Sequence, residues 1–377
     1  MNFEPDADTL AVVEQIRRFA EDVLKPNARE IDANGTFASR HIPALAELGA
    51  MGMNLPEAWG GPGLSPVVLY LAVEALAAGC GSTVSMMTAH FLATDAILIG
   101  GDDAQRGRYL PDAAAGRTLG AFGLTEPGAG SNPADMTTRA IRDGASYHLR
   151  GVKHFISNAA HADFIVVFAK TDAAAGARGI SAFVVEPAKG GVRVGPPEKT
   201  MGLRGGHVFE VEFDCRVGEQ EMLGPEGSGF RTALKTLDNG RTEVAAMCTG
   251  MAGEALAMAV EWARTRRVGG HPIGEFQGLQ WMLADMATEL DAARLMGLRA
   301  ASLREKGERF SKEASMAKLF ASEKAGAIID RALQIHGGYG YSQELPLERM
   351  ARDVRIMRIY EGSSEIQRNI IARMLLA

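Results

Sequence analysis

The stretch Ala121-Phe122-Gly123-Leu124-Thr125-Glu126-Pro127-Gly128-Ala129-Gly130-Ser131 is where the chain changes texture. Before it, apolar residues recur at helical spacing; after it, they form strand-like runs. Its glycines let backbone N–H groups approach an anion or a flat ring closely, and Thr125 and Ser131 add directed hydroxyls. A Pro-Gly turn alone accounts for the glycines but not for the hydroxyls.

Upstream, from about Asp8 to Gly116, the period is helical. Leu10, Val13, Ile16, Arg17 and Ala20 begin an amphipathic helix that Lys25-Pro26 is expected to end. A second helix is predicted from Ile42 to Leu48. A turn-rich loop follows from Leu55 to Gly63, and then two long apolar helices, Val67 to Ala78 and Ser82 to Ile99, the second buried on most sides. Downstream, from about Leu119 to Gly224, Phe164 to Phe168 and Ile180 to Val185 read as β-rich runs. Phe209, Val211, Phe213 and Cys215 alternate with Glu210, Glu212 and Asp214, which predicts a strand with one wet face. From Gly229 the helical period returns in the segments Phe230–Arg267, Phe276–Lys306, Lys312–His336, Pro346–Arg358 and Ser363–Leu376, with small residues on their faces that suit close packing.

The expected fold class is therefore α+β and mainly α. Residues 1–118 form an N-terminal helical domain, 119–226 a middle β domain and 227–377 a C-terminal helical bundle. A cofactor cleft belongs where such domains meet. The chain lacks a GxGxxG strand–turn–helix, so any dinucleotide is held another way.

Composition narrows the function classes. The 377 residues carry a net charge of -6, with 46% hydrophobic and 23% charged residues and a pI near 5.8. A nucleic-acid footprint needs a basic face, which this balance argues against. Cys80, Cys215 and Cys248 form no CxxC pair, so neither a disulfide framework nor a metal site is expected. The acidic stretch Met1 to Asp8 carries no targeting pattern. No apolar run long enough to span a membrane stands out, and the expected location is cytoplasmic.

Near the C-terminus, Tyr360-Glu361-Gly362-Ser363-Ser364-Glu365 interrupts two helical patterns. A carboxylate with no cation beside it can be held apolar, with a raised pKa, and act as a base. Read by itself, Glu361 is better explained as a carboxylate favoured at a helix N-terminus by the dipole.

The motifs taken together resemble the acyl-CoA dehydrogenase family along almost the whole chain. They are Phe122 to Ser131, Lys153-His154-Phe155-Ile156-Ser157-Asn158, Met201-Gly202-Leu203-Arg204, Leu237-Asp238-Asn239-Gly240-Arg241, Arg266 to Gln277, Gln334 to Gly340, and Tyr360-Glu361-Gly362, in that order. The resemblance implies noncovalent FAD and α,β-dehydrogenation of an acyl-CoA thioester to the trans-2-enoyl-CoA. Electrons then pass to an electron-transfer flavoprotein, and the family assembles as homotetramers built as dimers of dimers.

It also assigns roles. Phe122, Leu124, Thr125, Gly130 and Ser131 fall at FAD contacts, with Ser131 also facing CoA. Phe155 and Ser157 fall beside the flavin ring, where the family most often has Trp and Thr; Phe155 is otherwise a strand-core aromatic. Arg266, Gln277, Gln334, Gly337 and Gly338 match the adenine and pyrophosphate end of a neighbouring subunit's FAD, and Ser363 and Glu365 are further cofactor positions. Gly269 departs from the family's usual Phe. Asp238, Arg241, Tyr360 and Gly362 are substrate-binding positions, although Asp238 and Arg241 also suit a simple i,i+3 ion pair. Glu361 is the catalytic base, because Gly240 stands where the isovaleryl and long-chain branches carry theirs; the pattern is that of the short- and medium-chain branches. His336 is read as a packing or loop-orienting residue and Met86-Met87 as core. An oxidase, desulfinase or monooxygenase on the same fold is the alternative enzyme, and a flavin-free binding protein the alternative non-enzyme.

Overall fold

The computed structural model describes residues 6–376, so Met1 to Pro5 of the acidic N-terminal stretch and Ala377 lie outside the described residues. The chain runs α1 (Ala7–Phe19), α2 (Lys25–Asn34), α3 (Ile42–Glu47), α4 (Pro66–Gly79), α5 (Gly81–Gly100) and α6 (Asp103–Ala114). Seven strands follow: β1 (Gly120–Gly123), β2 (Arg139–Asp143), β3 (Ser146–Ser157), β4 (Phe164–Lys170), β5 (Ile180–Val185), β6 (Val192–Pro197) and β7 (Val208–Gly218). Then come α7 (Gly229–Thr265), the short pair β8 (Arg267–Val268) and β9 (His271–Pro272), α8 (Gln277–Glu305), α9 (Ser311–His336), α10 (Gly338–Tyr341), α11 (Leu347–Val354) and α12 (Ser364–Leu376). Helical, β and helical regions appear in the expected order.

Pro26 does not end the first helix. A π-helical turn, Ala20–Leu24, joins α1 to α2, and the Lys25 N–H bonds Ala20 O five residues back. The wider turn makes room for a proline ring that would clash in an α-helix, so the chain continues as α2 with Pro26 in its first turn.

The sheet order is β1-β4-β2-β3-β7-β6, with β5 paired to β4. β1 and β4 run parallel, with Gly120 opposite Phe164, while β3 and β7 form a long antiparallel pair. Period-2 alternation splits β4 between two cores. Phe164, Val166 and Phe168 face Ala93, Ala96 and Ile97 of α5. Ile165, Val167 and Ala169 face a second cluster with Tyr147, Leu149, Val211 and Phe213. β7 is buried at every second residue, as its sequence predicts.

The largest core joins both helical regions: Val73 and Leu76 of α4, Met247 and Met251 of α7, and Ile328 and Ile329 of α9 share one cluster. A Cβ on Gly250 would strike the Glu74 carbonyl, so glycine sets how closely α4 and α7 approach. Two helices, α5 and α7, are long and apolar enough by composition to cross a membrane, against the sequence expectation. Their apolar windows are 78% and 67% buried inside the fold, which accounts for the composition as core packing.

Candidate active site

Glu361 sits in the break between α11 and α12 at φ 53, and Gly362 follows at φ 91. Consecutive left-handed residues are costly for a non-glycine, so something must hold Glu361 there. Three donors do. Gln367 Nε2 bonds the Glu361 carbonyl at 3.0 Å and the Gly362 carbonyl at 2.8 Å. Lys318 Nζ donates to the Gly362 carbonyl at 2.7 Å, and Arg241 Nε approaches the Glu361 carbonyl at 3.4 Å.

The carboxyl turns the other way. Its Oε2 is buried and accepts no hydrogen bond. It occupies the space a Cβ on Gly240 would fill, with Leu92 Cδ2 only 2.8 Å from that same point. Burial pushes the Glu361 pKa up to about 7, although the charges of Lys318 and Arg241 pull it down. The sequence expectation of no nearby cation therefore fails, while its consequence, a raised pKa, stands because desolvation outweighs both charges.

Asp238 and Arg241 are both committed inside the protein. Arg241 Nη1 donates to Asp238 Oδ1 at 2.6 Å, and Ser311 donates to Asp238 Oδ2. The i,i+3 ion pair is thus realised, with the Arg241 side chain only 5% exposed. Tyr360 points inward, its hydroxyl donating to Met357 Sδ at 2.7 Å. Ser363 is half-buried and Glu365 exposed at the start of α12. Met86 and Met87 are fully buried core residues.

A second group gathers where β1 meets β3. Lys153, fully buried, reaches Glu126 Oε1 at 2.8 Å and the Leu124 carbonyl at 3.0 Å. Glu126 also accepts from the Thr137 N–H at 2.6 Å and the Thr138 N–H at 3.0 Å. Burial opposes the Glu126 charge, yet Lys153 and these donors hold its carboxyl down at about 2. Burial lowers Lys153 to about 8, offset in part by Glu126. The pair pins the Thr125–Ser131 loop to β3, and the His154 N–H bonds the Thr125 carbonyl at 2.9 Å.

Beyond Lys153 the β3–β7 register shifts, and Phe155 takes φ 57 and is 58% exposed. His154 stacks on that ring at 4.0 Å. Phe155 is therefore a presented aromatic and not a strand-core residue. Phe122, Thr125 and Ser157 are half-buried, Leu124 is buried, and Gly130 and Ser131 are exposed.

A third group lies where α7 ends and α9 turns into α10. Arg266, Gly337 and Gly338 line a groove of about 560 Å³ with Trp262, His336 and Tyr339. The Arg266 guanidinium stands 5.9 Å from the Trp262 ring centre and 5.8 Å from that of Tyr339. His336 stacks on Trp262 at 4.9 Å and bonds the Ala332 carbonyl at 2.8 Å, as an orienting residue would. Gln277 and Gln334 are exposed on α8 and α9. Gly269, at φ 58, has open space around it.

These residues fit a dinucleotide. Gly130, Gly337 and Gly338 have nothing within 4 Å of a notional Cβ, so their backbones are open to close approach. Arg266 offers a cation for phosphate and Phe155 an exposed ring for stacking. Sequence reasoning missed Lys318, Gln367, Glu126, Lys153, Trp262 and Tyr339. For Lys318 a signal existed: it lies on the face of α9 that carries Ala314, Ala317, Ala321 and Ala325, an apolar stripe where a lysine is out of place.

Comparison with known proteins follows the same three regions. Acyl-CoA dehydrogenase N-terminal, middle and C-terminal domain families match residues 6–117, 121–215 and 227–376. An acryloyl-CoA reductase (NADH) of Anaerotignum propionicum is 42% identical over 96% of this chain and 92% of its own length. The butyryl-CoA dehydrogenase structure from Megasphaera elsdenii superposes with a TM-score of 0.97 at 37% identity, covering 100% of both chains. A chain in the structure of the electron transferring flavoprotein of Acidaminococcus fermentans gives a TM-score of 0.97 at 40% identity, again over 100% of both.

Proposed function

The chain belongs to the acyl-CoA dehydrogenase family, and from that premise we propose that Glu361 is the base that takes the α-proton of a short acyl-CoA thioester. The enzyme is an FAD-dependent oxidoreductase acting on the Cα–Cβ bond of acyl-CoA. One observation carries the assignment of the base: a carboxyl on a half-buried residue whose Oε2 is buried without a hydrogen-bond partner, seated on Gly240 and raised to about 7.

The α-proton of a thioester is too weakly acidic for a carboxylate in water. Desolvation makes Glu361 a stronger base than an exposed glutamate, and its fixed turn aims the carboxyl at one place. The Glu361 backbone N–H, on this reading, donates to the thioester oxygen and stabilises the charge that develops there. Bound FAD supplies the acceptor for the hydride that leaves Cβ. Phe122, Leu124, Thr125, Gly130, Ser131, Phe155 and Ser157 hold its ring end. Arg266, Gln277, Gln334, Gly337 and Gly338 hold the adenine end of a neighbouring protomer's FAD. An electron-transfer flavoprotein takes the electrons, and the enzyme works as a cytoplasmic homotetramer. The Arg266 groove supports that assembly because it offers an exposed phosphate-type site to a second copy.

A short acyl group is favoured because two of the similar proteins named above carry butyryl-CoA and acryloyl-CoA in their names. The test is an anaerobic titration of the purified flavoprotein with acyl-CoAs of increasing length, following loss of flavin colour. Strong bleaching by butyryl-CoA and weak bleaching by long-chain thioesters are expected. Equal bleaching along the series would overturn the short-chain assignment.

A further inference from the structure

The base is held by a residue that no motif contains. Lys318 lies on α9, far in sequence from Glu361, and its side chain is fully buried. A buried ammonium normally pairs with a carboxylate. Here its hydrogen bond goes to the Gly362 carbonyl, 2.7 Å away, and Glu361 Oε2 remains without a partner. Gln367, also fully buried, supports the same turn through two further bonds. Two features of the base are thus served by one side chain. The left-handed backbone at Glu361 and Gly362 is tied down through its carbonyls, and a positive charge stands near the carboxyl without capturing it.

We propose that Lys318 is a positioning residue for Glu361: its hydrogen bond to Gly362 fixes the turn that aims the carboxyl toward Gly240, and its charge sets how readily that carboxyl gives up its proton. The proposal rests on Glu361 being the base. Direct pairing would quench the base, whereas absence of charge would leave the desolvated carboxyl protonated at neutral pH. The groups facing Glu361 are Lys318 from α9 and Arg241 and Glu243 from α7, with Tyr360 beside it in the chain. Lys318 itself faces Glu361, Cys248, Arg241 and Glu365. The Lys318 charge pulls the carboxyl's pKa down more than the Arg241 charge does.

Two substitutions separate the functions. Lys318→Met removes both donor and charge; Lys318→Gln keeps a donor for the Gly362 carbonyl and removes the charge. Anaerobic bleaching of the holoenzyme by butyryl-CoA is followed from pH 6 to pH 10. The Met variant should bleach about 10–100-fold more slowly even at high pH, the loss typical of a base misplaced by about 1 Å. Both variants should show the pH midpoint raised by about one unit, and the Gln variant should recover most of the high-pH rate.

A second readout needs no turnover. The difference in melting temperature between proteins carrying Glu and Gln at position 361, followed against pH, flattens above the folded-state pKa of Glu361. That flattening should move to higher pH in the Lys318 variants. Should Lys318→Met fail to fold, Lys318→Gln and Gln367→Leu decide, the latter expected to slow bleaching without moving the midpoint. Unchanged rates and midpoints in the folded variants would overturn the proposal, as would losses explained wholly by FAD release. Bleaching that survives in Glu361→Gln would instead overturn the assignment of the base itself.

Discussion

Glu361 Oε2 occupies the space that a Cβ on Gly240 would fill. The two residues lie far apart in the chain, yet each requires the other's character: the carboxyl needs a helix face without a side chain, and the glycine is buried in α7 beneath it. This contact sets the terms of a base transfer. Gly240→Glu alone would crowd two carboxyls into one site. Paired with Glu361→Gly it should restore part of the bleaching that Glu361→Gly loses, since glycine at position 361 also relieves the left-handed strain at φ 53. The check is the rate of anaerobic bleaching in the single and double variants. A double variant that keeps FAD but bleaches no faster than Glu361→Gly would contradict the shared seat.

Lys153 and Glu126 form a buried ion pair under the Thr125–Ser131 loop, 2.8 Å apart with side chains 0% and 3% exposed. Lys153→Met leaves Glu126 buried and unpaired, which should cost about 3–5 kcal/mol. FAD should dissociate more readily as the loop loosens. Adding Glu126→Gln to Lys153→Met should recover part of the stability, because Gln carries no charge and its single amide oxygen can still accept from the Thr137 N–H. Thermal melts and FAD release on dilution read both effects. A Lys153→Met protein as stable as the parent would contradict the anchoring role.

The sequence made some of this legible and hid the rest for physical reasons. Gly240 and Glu361 stand in motifs, so the base and its empty alternative position were readable. Lys318, Gln367 and Lys153 act through tertiary contacts: Lys318 stands out on the alanine face of α9 and Lys153 stands in a motif, but the partners that define their roles, the Gly362 carbonyl and Glu126, are set only by the fold. Pro26 signalled a helix end by a local rule, which the π turn at Ala20–Leu24 overrode. Phe155 read either as core or as ring platform, and only the shifted register that leaves its ring exposed separates the two.

Glu243 is fully enclosed in α7, and neither carboxyl oxygen has a hydrogen-bond partner. Burial, and then the charge of Asp95, push its pKa well up, with Arg304 opposing. A raised folded-state pKa means that stability is fully present at low pH and declines as pH rises above the unfolded value. Glu243→Leu should therefore stabilise the protein by about 1–3 kcal/mol, and more at pH 8 than at pH 5. Urea melts at the two pH values test this; a Leu variant less stable than the parent at pH 8 would contradict it.

Arg266 is exposed, flanked by Trp262 and Tyr339, and free to meet a phosphate. Arg266→Ala should weaken FAD retention by about 1.5–3 kcal/mol, the worth of a charged hydrogen bond, so FAD is lost on dilution. Gel filtration with absorbance at flavin wavelengths follows cofactor and assembly together. Full FAD occupancy in a stable isolated monomer would contradict a site shared between protomers.

The central claim is that Glu361 removes the substrate proton, and its most direct test is stopped-flow anaerobic bleaching of wild type and Glu361→Gln by butyryl-CoA across pH. A base must be deprotonated to act, so the wild-type rate for free enzyme should rise with pH through about 7, the pKa burial gives Glu361. Glu361→Gln should keep FAD and bind the thioester, yet bleach at least ~10²–10⁴-fold more slowly and without that pH dependence. Near-normal bleaching in Glu361→Gln would place the base elsewhere and contradict the account.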